Sequence, residues 1–598
     1  MAAGEQNRND ESPSGPASGD QGGAPEKSPG PPKRRPIPPK HEHVQANFCK
    51  TPGCANFGVF PREGVSGQGR GKAEDDYKIT GSGPAKLLCK KCGVSTRMKS
   101  NLAIYEEWER QATHRQTPGG MVCPNDACTN HEPSGLPVED RFRRYGKTHS
   151  GSDRWQCRAC KKTFSIGKAT RYQQKPHKNA LAFDLLVNKV PISRMVEILD
   201  LTYASVYGKI DFIYRQCKAF EAEREAHMPS LHIPRLYLST DRQDYLVNWG
   251  DRSARKTIQL TAVATADLAS GYVFGLVPNF DPAVLPEYLE KRWLGHGDRH
   301  KPPALRATAR LWTLADYAAS AGLPDTREDV ASRDDLDAPE LLSLGQQLPT
   351  KGTQVHADYL IHGHYWVLRD LLRNVEKVRF SVDQEQGLLG GCLGAFADRV
   401  AARTADVVVV DIAKNITNDD RKSRHAKARK WFEQEVGRFP GMSIKKARTA
   451  ILQERIAAAR ACSDLPDRHL QPVWIDFPFP DMAEPGKRLR YVTDMSDYDD
   501  HHVANLLMKA TLWPIDTVFN RIRRRIALFE RPVQSVRRAR RMWHIYAPYD
   551  PMMVEKMLTI YRVWHNFVWI NKKSGRTAAE IIGLAHGKVR PQDILYFK

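Results

Sequence analysis

Three observations predict a multidomain chain of mixed α+β and α/β architecture. Eight of the eleven cysteines fall into a spacing that occurs twice, a stretch from Asn179 shows helical periodicity in three short segments, and strand periodicity alternates with helices after Pro234. At 598 residues the chain also exceeds what one hydrophobic core usually organises, so several domains are expected.

Residues 1–45 read as a disordered tail, rich in Pro, Gly, Ser and charge, and too poor in apolar side chains to fold alone. Its Lys33, Arg34 and Arg35 could touch phosphates, although a solvated charge run is the simpler reading.

An internal repeat follows. Cys49-Lys50-Thr51-Pro52-Gly53-Cys54-Ala55-Asn56 has a counterpart in Cys123-Pro124-Asn125-Asp126-Ala127-Cys128-Thr129-Asn130, and each is followed by a second pair, Cys89/Cys92 and Cys157/Cys160. Zinc needs four soft ligands in a tetrahedron, which two such knuckles supply. The spacing therefore predicts two structural zinc sites, in a first ribbon over 46–118 and a second over 119–170. His131 is a conceivable substitute ligand, while Cys217, Cys392 and Cys462 read as ordinary core residues.

Residues 175–228 carry the three helical segments, with Asp200-Leu201-Thr202 as a short break before the last. This is the outline of a helix-turn-helix whose final helix, Ala204 to about Arg215, would offer Tyr203, Ser205, Tyr207 and Lys209 to a DNA groove. A structural three-helix connector would have the same periodicity.

Beyond Pro234, Arg235–Asp241 reads as a strand ending in a carboxylate, followed by strands at Thr257–Ala266 and Gly271–Val277. A helix over His356–Asn374 precedes the strand Lys377–Asp383, then a helix from about Leu388 to Arg403 and the strand Asp406–Asp411. Asp516–Phe529 has a helical pattern with a basic face, including Arg521, Arg524 and Arg525 as candidate DNA contacts. Core segments are thus expected over 233–280, 353–412 and 500–535, with insertions at 281–352 and 413–499, the second basic and helical. Residues 536–598 are expected to form a C-terminal helical segment, with a basic and aromatic cluster of Arg537, Arg538, Arg540, Arg541, Trp543 and Tyr546 near its start.

This order of strands and helices resembles the RNase H-like (integrase-type) fold, in which the first and fourth strands lie side by side. Further motifs are similar to the DDE/DDD transposases of bacterial insertion sequences with an N-terminal zinc ribbon: Arg144-Tyr145-Gly146-Lys147-Thr148, the run Arg154–Ser165, the strand carrying Asp241, and Lys573–Ala585, with Ala578 where a proline is usual. The resemblance covers about residues 120–280 and 355–412 and resumes from about 500 to 590. It implies that Asp241, Asp383 and Asp516 hold two catalytic magnesium ions, or manganese, beside a scissile phosphate. Asp516 stands where the family usually has Glu, one methylene longer, which leaves Glu530, Asp499 and Asp500 as rivals for the third position. Each acid could instead be a cap or a strand end, and Asp411 is a decoy of the same kind.

The 91 basic against 69 acidic residues, a net charge of +22, favour a polyanionic partner. No stretch reaches the length of a membrane span and the start lacks the apolar core of a signal peptide, so a soluble, intracellular protein is expected. The resemblance implies a cytoplasmic, nucleoid-associated enzyme that binds element ends and target DNA, cuts and joins strands, and works as a homo-oligomer. The alternatives are a catalytically inactive, transposase-derived DNA-binding regulator and, further off, a zinc-ribbon transcription factor acting on protein partners.

Overall fold

The computed structural model describes residues 37–61, 76–80, 85–113, 115, 121–131, 138–149, 151–165, 170, 173–248, 257–320, 351–384, 386–413, 416–461, 473–530, 533–534, 542–543 and 546–596. Residues 1–36 of the expected tail, the acidic run 321–350, Cys462, and Arg537, Arg538, Arg540 and Arg541 with the side chain of Trp543 lie outside it. The last part of that tail is packed rather than disordered, with Val44 buried and the Pro39 carbonyl accepting the Asn101 side chain at 2.7 Å.

Each cysteine module carries a three-stranded antiparallel sheet, β1 (Tyr77–Thr80), β2 (Lys86–Cys89) and β3 (Ser95–Arg97) in the first. The first module runs into α1 (Asn101–Thr113), and the second contains β4 (Phe142–Lys147), β5 (Asp153–Cys157) and β6 (Thr163–Ser165).

The helical region consists of α2 (Asn179–Leu186), α3 (Ile192–Leu199) and α4 (Tyr203–Ala226). Pro191 opens α3, Asp200 closes it with a left-handed φ of 47°, and the Thr202 hydroxyl accepts the Ser205 N–H at 3.3 Å to start α4. The last helix runs some ten residues past the expected end near Arg215. Ile213, Cys217 and Phe220 are buried along it, so tertiary packing sustains the helix beyond the reach of the local pattern.

Among the described residues, seven strands form one mixed sheet. β7 (Arg235–Asn248), β8 (Thr257–Asp267) and β9 (Val273–Pro278) make an antiparallel meander. The helices α5 (Pro286–Gly295) and α6 (Ala357–Leu371) come next, followed by β10 (Lys377–Asp383), α7 (Gln386–Ala401) and β11 (Ala405–Asp411). β10 runs parallel to β7 on one side and to β11 on the other. The stretch expected to be a helical insertion holds α8 (Asn418–Val436) and α9 (Ile444–Ala461), but also two short strands, β12 (Trp474–Asp476) and β13 (Arg488–Tyr491). Those two extend the sheet in the order β12-β13-β11-β10-β7-β8-β9. At three and four residues they are too short for an alternation to stand out in sequence. The chain continues into α10 (Asp500–Leu507), α11 (Trp513–Arg525) and α12 (Pro551–Val563).

The helical region, the sheet and the carboxyl-terminal segment share one core, while each ribbon also has a small buried cluster of its own. A single cluster of buried side chains joins Phe183 and Ile210 of the helical region, Leu238 and Phe380 of the sheet, and Leu558 and Phe567 near the carboxyl end. Polar contacts tie the same parts together. Arg562 of α12 pairs with Glu221 of α4, and the Asn566 side chain exchanges two hydrogen bonds, 2.9 and 3.0 Å, with the backbone of Val273 on the edge strand β9. The first ribbon is docked through α1, which packs on α6 so closely that a Cβ on Gly363 would stand 2.7 Å from Glu107.

The two central strands have matched faces. Leu236, Leu238 and Thr240 of β7 align with Val378, Phe380 and Val382 of β10 on one face, and Tyr237 and Ser239 align with Arg379 and Ser381 on the other. The first set is buried among apolar neighbours. The second is a polar stripe that α11 and the segment before it cover.

Candidate functional site

In each cysteine module four thiols converge. Cys49, Cys54, Cys89 and Cys92 have their Sγ atoms within 4.8 Å of one another, and so do Cys123, Cys128, Cys157 and Cys160. The closest approaches are Cys49 to Cys92 at 3.6 Å and Cys123 to Cys160 at 3.3 Å. The repeat extends beyond the ligand set: Asn56 and Asn130, each two residues past a knuckle, donate their side-chain amides to Cys89 and Cys157 at 3.4 and 3.3 Å. Burial pushes the Cys157 thiol up, but the Asn130 amide and the N–H groups of Cys160 and Ala159 outweigh it and bring it down to about 6. Donors aimed at sulfur favour the thiolate that a metal requires. The two four-thiol clusters fit two structural zinc ions. His131 is not among those ligands; its Nδ1 lies 2.8 Å from the Cys123 carbonyl. Cys217 and Cys392 are fully buried away from both clusters, as core thiols.

Asp241 and Asp383 stand where the parallel pairing of β7 and β10 stops, but β7 runs on to Asn248 beside β8, so Asp241 lies within its strand and does not end it as expected. Thr240 and Val382 are the last pair of that parallel ladder, and each acid is the next residue on its strand, on the same face as Ser239 and Ser381. Their surroundings match. Each carboxylate accepts the N–H of the following residue, Asp241 from Arg242 at 2.8 Å and Asp383 from Gln384 at 2.7 Å.

Asp516 lies in the first turn of α11, which is bound to β7, and the segment just before the helix is bound to β10. The Ile515 N–H donates to Ser239 Oγ at 3.2 Å, and the Thr511 N–H donates to Ser381 Oγ at 3.3 Å. Each serine stands two residues before an acid, so the Ser-x-Asp repeated on the two strands is a signal that sequence reading did not use. The rest of the cap comes from Glu484. Its buried carboxylate accepts the Thr511 hydroxyl and the Leu512 N–H at 2.6 Å each and the Trp513 N–H at 3.1 Å, and it takes the Lys487 ammonium at 2.7 Å. Leu512, the residue at the cap position, has no side-chain acceptor, so a carboxylate 28 positions upstream supplies one.

The rival acids are committed elsewhere. Asp499 caps α10 through the His502 N–H at 2.6 Å, Asp500 pairs with Arg460, and Glu530 pairs with Lys189 at 2.7 Å. Asp411 is one residue out of phase, since Val410 is the partner of Asp383, and the pleat turns it to the other face. There it pairs with Arg488, its direct partner on the antiparallel strand β13. A cleft of about 630 Å³ at this end of the sheet is lined by Asp383, Asp411, Arg424 and Arg488.

The expected DNA contacts divide. Tyr203 and Tyr207 are 55% and 43% exposed at the start of α4, with Ser205 half-buried beside them. Lys209 does not face outward as expected: its ammonium is buried on Asn179 Oδ1 at 2.7 Å and on the Lys175 carbonyl at 3.0 Å, where it ties α4 to α2. Arg521 and Arg525 are likewise turned toward the carboxyl-terminal segment. The Arg521 guanidinium lies 3.7 Å over the Trp569 ring and donates to His565 Nδ1 at 2.9 Å, and Arg525 stacks on Trp564 and bonds Asn188 at 2.6 Å. Aromatic faces offer a delocalised cation a dry resting place, which a count of charges along a helix does not reveal. Arg524 alone of the three is exposed.

No family model matches the chain, and neither a curated protein nor a solved structure is significantly similar to it. No helix among the described residues is long and apolar enough to cross a membrane.

Proposed function

We propose that this chain is a DNA transposase of the two-metal carboxylate type, built on an RNase H-like core. One observation carries the reading: Asp241 and Asp383 each follow the Thr240–Val382 pair that closes the parallel ladder of β7 and β10, while α11, which bears Asp516, is bonded to β7 through Ser239 and the segment just before it to β10 through Ser381. Three such carboxylates would make a hard-oxygen donor set that suits magnesium or manganese. Asp241, Asp383 and Asp516 would hold the ions, whose chemistry is to activate a hydroxide and to steady the departing oxygen of a phosphodiester. A central parallel pair, flanked by an antiparallel meander and followed by an acid-bearing helix, supports the RNase H-like reading. The close approach of α11 to the strands also favours an aspartate where a longer acid is usual.

The exposed Tyr203, Tyr207 and Arg524, and Ser205 at the start of α4, are the side chains proposed to meet DNA, with α2–α4 as the helix-turn-helix. Holding two element ends at once calls for a homo-oligomer in the working complex.

The test is cleavage of a labelled element-end duplex in magnesium or manganese. The parent and Asp411→Asn are expected to cut, while Asp241→Asn, Asp383→Asn and Asp516→Asn lose at least about 100-fold and still bind the duplex. DNA binding by a parent that does not cut under either metal would favour the inactive regulator instead.

A further inference from the structure

α8 is a helix without a buried side chain. Such a helix is not a core element, and its composition asks what it faces. Between Arg421 and Lys430 it carries Arg421, Lys422, Arg424, Lys427, Arg429 and Lys430 with no acid among them. The charges fall into two sets. On one flank Lys422 pairs with Asp419 at 3.6 Å and Arg429 with Glu433 at 2.8 Å, so those cations are neutralised within the helix. On the other flank Arg424, Lys427 and Lys430 follow a three-residue ridge, exposed and in no ion pair among the described residues.

This ridge starts at the acid cleft. Arg424 lines the cleft that holds Asp383, and its guanidinium lies against Gly486, where a Cβ would meet it at 3.1 Å. The helix is held in place by aromatic contacts at its far end. Arg455 lies 5.1 Å over Trp431, and Arg448 lies between Phe432 and Phe479 at 4.9 and 5.2 Å from the two ring centres. At the near end Arg421 donates to the Met482 carbonyl at 3.4 Å, two residues from the Glu484 that caps the helix of Asp516.

We propose that the Arg424–Lys427–Lys430 ridge is the track for the phosphate backbone of duplex DNA as it enters the cleft, with Arg424 as the innermost contact. The ridge rises about 4.5 Å per step, a spacing that long cationic side chains adapt to successive phosphates of one strand. This surface deepens the transposase reading and rests on it for where the DNA leads, but its binding can be measured without metal or cleavage.

The experiment measures the salt dependence of binding by fluorescence anisotropy, on the full chain with a fluorescein-labelled duplex of arbitrary sequence. Three proteins are compared: the parent, Arg424→Ala/Lys427→Ala/Lys430→Ala, and the flank variant Lys422→Ala/Arg429→Ala. Each phosphate contact adds about 0.9 to the slope of log K against log salt, so the ridge variant is expected to be shallower by about 2 to 3 and the flank variant unchanged. All five substituted positions are solvent-facing, and circular dichroism checks that α8 persists in both variants. Equal slopes for parent and ridge variant overturn the proposal, as does an equal loss from the flank variant. A parent that binds with the expected slopes but never cuts leaves the track standing and removes the transposase reading.

Discussion

Ser239 on the first core strand accepts the backbone N–H of Ile515 at 3.2 Å, and both residues are buried. That contact sets the helix of the third acid against the strand of the first. Ser239→Ala leaves a buried donor without a partner, at a cost of about 1–3 kcal/mol. The helix turn bearing Asp516 is then freer to drift, and displacements on the scale of 1 Å reduce catalysis by up to about 100-fold. Cleavage is expected to fall by about 10- to 100-fold with DNA affinity unchanged. A variant that melts lower yet cuts at the parental rate would detach this serine from the site.

Glu484 reaches the same helix from the insertion. Its buried carboxylate serves two backbone donors, one hydroxyl and the buried Lys487 ammonium. Glu484→Ala strands a buried cation and is expected to lower unfolding free energy by about 3–5 kcal/mol, while Glu484→Gln, which keeps one acceptor, costs less. Urea denaturation of the two variants checks the ranking, and equal losses would contradict it.

The two thiol clusters should hold one zinc each. Elemental analysis of the purified chain is expected to find two zinc ions per polypeptide, and Cys123→Ser/Cys157→Ser is expected to bring the count to one. A count that stays at two in that variant would mean that the second ribbon does not bind zinc through these thiols.

His565 links pH to stability. Burial first, and then the Arg521 guanidinium, lower its pKa from 6.5 to about 3, with Nδ1 accepting from Arg521 and Nε2 lying 3.0 Å from the Gly271 carbonyl. The unfolded chain therefore takes up a proton below about pH 6.5 that the fold refuses until near pH 3. The stabilisation is complete above 6.5 and is lost as pH falls through that window. Relative to His565→Gln, which preserves a donor and an acceptor, the parent is expected to lose about 1.4 kcal/mol per pH unit below 6.5. Parallel stability curves for the two proteins between about pH 6.5 and 5 would show that the imidazole does not resist protonation.

Chain spacing by itself determined the thiol clusters, because both knuckles of each are local turns and the repeat prints the same geometry twice. It also gave each acid its face, since Arg235–Asp241 and Lys377–Asp383 share one alternation that puts tyrosine or arginine, serine and aspartate together, although only Asp383 ends its strand while β7 runs on past Asp241 to Asn248. Tertiary structure decided the rest. That Asp383 rather than Asp411 neighbours Asp241 follows from β10 lying between β7 and β11, a strand order that no local pattern encodes. Only packing turned Lys209, Arg521 and Arg525 inward, because their partners, Asn179, Trp569 and Trp564, sit on other segments of the chain. A helix cap supplied from 28 residues away, as Glu484 supplies it, is likewise set by the meeting of distant backbone, where burial makes an unpaired N–H too costly to leave.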